Sequence, residues 1–200
     1  LPSVLRLKGK LNKSALEFAL KNIVNRHEVL RTVMIETEGK GYQKVLSKDG
    51  WNLNYADGSQ FKNKKEDLKN EILRIVNMPF DLSKDHMMRG HLINLGDNDN
   101  LLVLTLHHIA SDGWSVSILV SELAELYKSF EEKRDAVLDE LKVQYADYSI
   151  WQRDYLKGVV LESKLDYWKK KLGNAEPLHL PTDFPRPSIQ GKSGAVKEFI

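Results

Sequence analysis

An α/β fold with a mixed β-sheet and flanking helices is what this sequence predicts, on three observations. Runs with strand-type apolar patterning recur through the first half of the chain, and helical periodicity takes over after Gly113. Strands and helices intermix without strict alternation, which favours a mixed sheet over a wholly parallel one. No internal repeat and no glycine-rich phosphate loop is present, which removes repeat architectures and most nucleotide chemistry.

The elements follow in order. Ser3–Leu7 roughly alternates apolar and polar residues and stops at Gly9-Lys10, a strand running into a turn. Asn12 or Ser14 can cap a helix in which Leu16, Phe18, Ala19, Ile23 and Val24 fall at helical spacing, as far as about His27. Val29–Glu36 is rich in β-branched residues and reads as a strand. Gly39-Lys40-Gly41 is its turn and Tyr42–Leu46 the returning strand. Lys65–Asn77 is a charged helix that turns Leu68, Ile72, Leu73 and Ile75 inward. Met87–Leu95 and Leu101–His107 are apolar strands joined through Gly96–Asn100. After Gly113, Val116, Leu119, Val120, Leu123, Leu126 and Tyr127 recur at three and four, a helix to about Glu132. Two more helices are expected near Gln144–Leu156 and Leu161–Leu172. Pro177, Pro181, Pro185 and Pro187 then exclude helix and central strand and predict an extended strap. Gly194–Ile200 reads as a strand.

The chain has 200 residues, 42% of them hydrophobic and 29% charged, with a net charge of +2. That is a globular composition, and disorder is disfavoured. The near-zero charge argues against nucleic acid as a partner. The basic clusters Lys62–Lys65 and Lys169–Lys171 stand beside acidic residues and read as solvated helix faces. Cysteine is absent, which excludes disulfide frameworks, thiolate zinc sites and cysteine nucleophiles, and is compatible with a cytoplasmic location. The longest strongly apolar stretch, Leu101–Leu106, is far short of a membrane span. The first residue is Leu, so a piece of a longer chain is expected.

Chemistry concentrates in His107-His108-Ile109-Ala110-Ser111-Asp112-Gly113-Trp114-Ser115. If both histidines lie on the strand, they point to opposite faces, one inward and one toward a cleft. The helix that follows offers free N–H groups beside them. A proton acceptor next to N–H donors suits acyl transfer, the donors serving an oxyanion. His107, His108 and Asp112 are also suitable metal-ligand types, though opposed faces make that awkward. Ser111 and Ser115 lack a nucleophile elbow. On the residues alone, acyl transfer and a purely structural strand end both stay open.

The same string resembles the H-H-x-x-x-D-G motif of condensation domains of nonribosomal peptide synthetases, in the chloramphenicol acetyltransferase-like superfamily. Arg26-His27-Glu28-Val29-Leu30-Arg31-Thr32 resembles the family's R-H-E-x-L-R-T. Tyr145-Ala146-Asp147-Tyr148-Ser149-Ile150-Trp151 resembles Y-x-D-[FY]-x-x-W. Asp166-Tyr167-Trp168 with Leu180-Pro181-Thr182-Asp183-Phe184-Pro185-Arg186-Pro187 resembles the Y-W…L-P-T-D-x-P-R-P passage. The family's opening motif S-x-A-Q-x-R-[LM]-W and its later motifs have no counterpart.

The resemblance implies one lobe of a V-shaped domain about twice this length. Residues 1–175 would be the N-terminal lobe without its first residues, and 176–200 the crossing segment and the start of the C-terminal lobe. It implies amide-bond formation between thioesters carried on phosphopantetheine arms, with no cofactor or metal bound directly. The implied partners are carrier domains upstream and downstream, an adenylation domain and the missing C-terminal lobe. His108 matches the catalytic histidine, as general base or positioning group. Gly113 would direct its N–H toward the oxyanion and keep the channel open. Asp112 would be structural, with Arg26 as its ionic partner, and His107 would pack inward. Trp114, Tyr148, Trp151 and Trp168 are expected to be core and interface aromatics. The double histidine and Asp112-Gly113-Trp114-Ser115 fit condensation of two L-residues better than heterocyclisation or epimerisation. The other readings are a freestanding coenzyme A-dependent acyltransferase and a non-catalytic docking lobe. A single lobe is expected to be inactive by itself.

Overall fold

The structure is a computed structural model that describes residues 1–96, 98–176, 178, 179, 181–185, 187–189 and 191. The strand expected at Gly194–Ile200 lies outside the described residues, as do Pro177, Leu180 and Arg186 of the proline strap. Contacts divide the chain into Leu1–Trp151 and Gln152–Ile200.

The first unit is built on a four-stranded sheet. It holds β1 (Pro2–Lys8), β4 (Asn54–Asp57), β5 (Met88–Gly96) and β6 (Asp99–Leu106) in the order β1-β6-β5-β4. β6 runs antiparallel to both β1 and β5, and β4 joins β5 in parallel. Alternation along β6 sends Leu102 and Leu106 to one face and Leu101 and Val103 to the other. The first face is covered by α1 (Lys13–Arg26), with Leu126 from α3 (Gly113–Glu132). The second meets α2 (Lys65–Val76) through Ile75 and Ile93. Burying side chains such as Leu92 and Leu102 stabilises the sheet by about 1.5–3 kcal/mol each. Gly90 lets Leu53 and Trp51 approach β5: an added Cβ would sit 2.9 Å from the Leu53 side chain.

Several boundaries differ from the sequence reading. Glu28–Arg31 is a 3-10 turn, and the strand β2 begins only at Thr32 and ends at Thr37. The turn is held by Thr32 Oγ1 donating to Glu28 O and by the buried Arg31 guanidinium, which outweigh the strand preference of Val29. β2 pairs with β3 (Lys40–Val45) through Glu38-Gly39, both at positive φ, so the reversal comes two residues before Gly41. The hairpin between β5 and β6 is tighter than Gly96–Asn100, because pairing continues to Gly96 and Asp99. β4 was not expected, being four exposed residues without apolar alternation. Leu73 is exposed rather than inward.

α3 has the predicted limits, and α4 (Tyr145–Tyr155) and α5 (Gly158–Leu172) lie close to theirs. The second unit contains the end of α4 and all of α5, and its described residues after Leu172 form neither helix nor strand.

Candidate functional site

β6 ends at Leu106, so His107 and His108 lie past the strand, not on opposite faces of it. The backbone tightens there into a turn, with Ala110 N–H donating to His107 O at 3.0 Å and Ser111 Oγ donating to the same oxygen at 3.1 Å. His107 is fixed by this local structure. Its Nδ1 accepts the Ile109 N–H at 3.0 Å, which places the proton of a neutral ring on Nε2. Its ring meets Phe80 edge-on at 5.5 Å. His108 is exposed. It lines an open cleft of about 400 Å³ together with Val29, Asp112, Trp114, Ser115 and Tyr145.

Asp112 is the N-cap of α3. Its carboxylate accepts from Ser115 Oγ at 2.8 Å and from Ser115 N–H at 3.0 Å, while its own N–H donates to Ser115 Oγ. This capping box holds the Asp112 carboxyl below its ordinary range, chiefly through the Ser115 hydroxyl, then the Ser115 amide, with Trp114 N–H and His108 adding less. Ser115 thus directs its amide at Asp112. No acceptor among the described residues meets the Gly113 N–H, which stays available at the positive end of the helix. A Cβ at Gly113 would meet nothing within 4 Å.

The expected Asp112–Arg26 pair does not form. Asp112 is exposed and satisfied by Ser115, so it needs no cation. The buried acid is Glu122, 7% exposed, and a buried carboxylate does need partners. Arg26 Nε donates to Glu122 Oε1 at 3.1 Å, and His27 Nε2 lies 2.7 Å from Glu122 Oε2. Arg26 also donates to Asp139 O. The signal for Glu122 was in the helical pattern. An acid stands in register with the buried Leu126 and Ser129, on the face of α3 that packs on α1.

The surrounding backbone ties this junction to the cleft. Met87 donates its N–H to Leu30 O at 2.8 Å and accepts the His107 N–H at 2.9 Å, a direct relay from the Glu28–Arg31 turn to the histidine turn. Gln144 spans the turn from the other side, donating to Arg26 O at 3.0 Å and accepting from Glu28 N–H at 3.1 Å. Tyr145, at the head of α4, is thereby fixed at the cleft.

Trp114 is 81% exposed, and Tyr148, Trp151 and Trp168 are also exposed, so none of the four belongs to a core here. Val116, Ile118 and Val120 of α3 are also exposed, Ile118 on the side of Trp114 and the two valines on another. Among the described residues no group of three His, Cys, Asp or Glu side chains can hold a metal ion, and no helix is long and apolar enough to cross a membrane.

Comparison with known proteins gives three findings. The family model for the condensation domain matches residues 1–199. A linear gramicidin synthase protein of Brevibacillus parabrevis is 40% identical over 98% of this chain, which spans 4% of that protein. Malpibaldin synthetase of Mortierella alpina is 42% identical over 98% of the chain, again 4% of that protein. Among solved structures, the X-domain from teicoplanin biosynthesis superposes with a TM-score of 0.82 alone and 0.84 in its complex with OxyB. In both the identity is 29%, over 94% of this chain and 42% of that one.

Proposed function

The chain belongs to the condensation-domain family, and from that premise we propose that it forms one side of a cleft that makes amide bonds in nonribosomal peptide synthesis. The donor is an aminoacyl or peptidyl thioester on the phosphopantetheine arm of an upstream carrier domain. The acceptor is an aminoacyl thioester on a downstream carrier, loaded by an adenylation domain. The acceptor amine attacks the donor carbonyl, the C–N bond forms, the C–S bond breaks, and the sulfur leaves with a proton. An α-amino group titrates near about 8, so a group that takes its proton or orients its lone pair assists the attack. His108 fills that role from the cleft wall. Gly113 N–H, flanked by the cleft residues Asp112 and Trp114, donates to the oxygen as negative charge develops there.

The observation that carries this reading is the division of labour at the head of α3. The capping box takes up the amide of Ser115 and leaves that of Gly113 without an acceptor among the described residues, beside an exposed histidine. We assign residues 1–175 to the N-terminal lobe and 176–200 to the crossing segment. The C-terminal lobe would cover Trp114 and Ile118, exposed apolar side chains on one side of α3 next to the cleft. The relatives are synthetases and synthases, which favours carrier-bound substrates over coenzyme A. We also propose a cytoplasmic location, with which the cysteine-free composition is compatible.

A second reading, a lobe that recruits a partner without catalysis, draws on the solved complex of the X-domain with OxyB. One experiment separates the two. In the synthetase module carrying this chain, His108→Ala should lower condensation by at least about 10²-fold with unchanged circular dichroism. Product formation at the wild-type rate would leave only the recruiting role.

A further inference from the structure

The buried carboxylate of Glu122 stands nine residues into α3 from Gly113, about 14 Å along the helix axis. It touches no cleft residue, yet it joins the two walls of the cleft. One oxygen takes Arg26 and the other faces His27, both at the end of α1. From there the chain passes directly to Val29 in the cleft and to Leu30, whose carbonyl reaches His107 through Met87. On the other side Glu122 belongs to the helix whose first residue presents the free N–H.

Apolar packing cannot define this relation by itself. Leu119, Leu123, Leu126 and Tyr127 pack α3 against the core, but apolar burial of this kind is non-directional. Asn12 N–H donates to Tyr127 Oη and Phe18 meets Phe130 toward the far end of α3, so nearer Gly113 the register is left to side-chain fit, and a small slide or rotation there displaces Gly113. Two hydrogen bonds from adjacent residues to the two oxygens of one carboxylate resist both motions. Stability alone does not account for the arrangement either, because an ionic cluster of this kind is commonly replaced by apolar residues without loss of stability.

We propose that Glu122 is a positioning residue for the condensation reaction: held between Arg26 and His27, it sets the register of α3 and so the place of the Gly113 N–H relative to His108. The inference rests on the functional reading above for its catalytic consequence and on geometry alone for its structural one.

The test uses the synthetase module carrying this chain, with loaded carriers, and two variants. Glu122→Gln keeps the size and loses the charge; Glu122→Leu removes the carboxylate and leaves Arg26 and His27 without it. Each should lower kcat per folded molecule by at least about tenfold, as a small misplacement of a catalytic group does, with KM for the acceptor carrier little changed. Glu71→Gln, which removes a carboxylate from a surface pair on α2, should leave the rate as it was. Amide hydrogen exchange across His107–Ser115 supplies a readout independent of turnover and should speed up in both Glu122 variants. An inactive wild-type module with faster exchange in the variants would overturn the functional reading and leave the positioning role standing. An active module whose variants keep wild-type rate and exchange would overturn the positioning role. Failure of both variants to fold would also overturn it, making Glu122 a structural residue only.

Discussion

The turn Arg26–Thr32 and the loop His107–Ser115 are built on opposite plans. The turn reaches outward for its partners: Arg26 and His27 to Glu122, Leu30 to Met87, Arg31 to Leu46 O, and the flanking amides to Gln144. The loop bonds mostly to itself: His107 with Ile109 and Ser111, Asp112 with Ser115. One is a buried junction whose residue types the fold itself demands. The other is an exposed platform where the fold leaves His108 and Gly113 unaccounted for. Residues that a lobe does not need for its own packing are the ones to test for work done on something outside it.

The contrast can be broken in three places. The largest expected effect is Arg31→Ala in the junction. Arg31 is 6% exposed and donates to Glu28 and to the carbonyls of Leu46 and Asn25. Its loss strands those acceptors and should cost about 3 kcal/mol, measured by urea unfolding of the intact domain. A change under about 0.5 kcal/mol, the range of an ordinary surface site, would mean the junction is no junction.

Next comes Gly113→Ala on the platform. The added methyl meets nothing within 4 Å and the residue opens a helix, so Tm should hold or rise slightly. Condensation by the intact module should nonetheless fall by about tenfold, the scale of a displaced catalytic contact. Unchanged turnover would show that the approach to Gly113 needs no extra room.

The smallest effect is at Asp112. Its carboxyl titrates below the ordinary 3.8 in the folded protein because Ser115 bonds the ionised form. A group with a depressed folded pKa adds stability that is complete above its unfolded value and lost as pH falls through the folded one. Asp112→Ala should therefore lower Tm by a few degrees near neutrality and by progressively less below pH 3.8. A deficit that persists undiminished in acid would assign the loss to something other than the ionised cap.

Much of this was legible in the residues, for identifiable reasons. α1 and α3 announce themselves because Asn12 and Asp112 cap long stretches of apolar periodicity. β6 does so because a central strand buried on both faces reads as a near-continuous apolar run, here Leu101–Leu106. β4 was silent, since a short edge strand with exposed side chains borrows its order from β5 and carries no pattern of its own. The Arg26 partner was misread for a related reason. Sequence offers Asp112 and Glu122 as equal carboxylates, and only burial distinguishes the one that a neighbouring serine satisfies from the one that needs a cation. The aromatic side chains were expected in the core or at an interface, and exposure takes Trp114 out of the core half of that expectation.

The pairing of β1 with β6 has a consequence in time. Pro2 meets Thr105 and Lys8 meets Asp99, so β1 waits for its partner strand until about a hundred further residues are translated. At ordinary synthesis rates that delay is about 5–20 s. During it Val4 and Leu5 await their partner, and the sheet closes by a slow kind of contact, one between residues about a hundred apart. Whatever shields β1 on the ribosome decides how many chains reach a cleft at all.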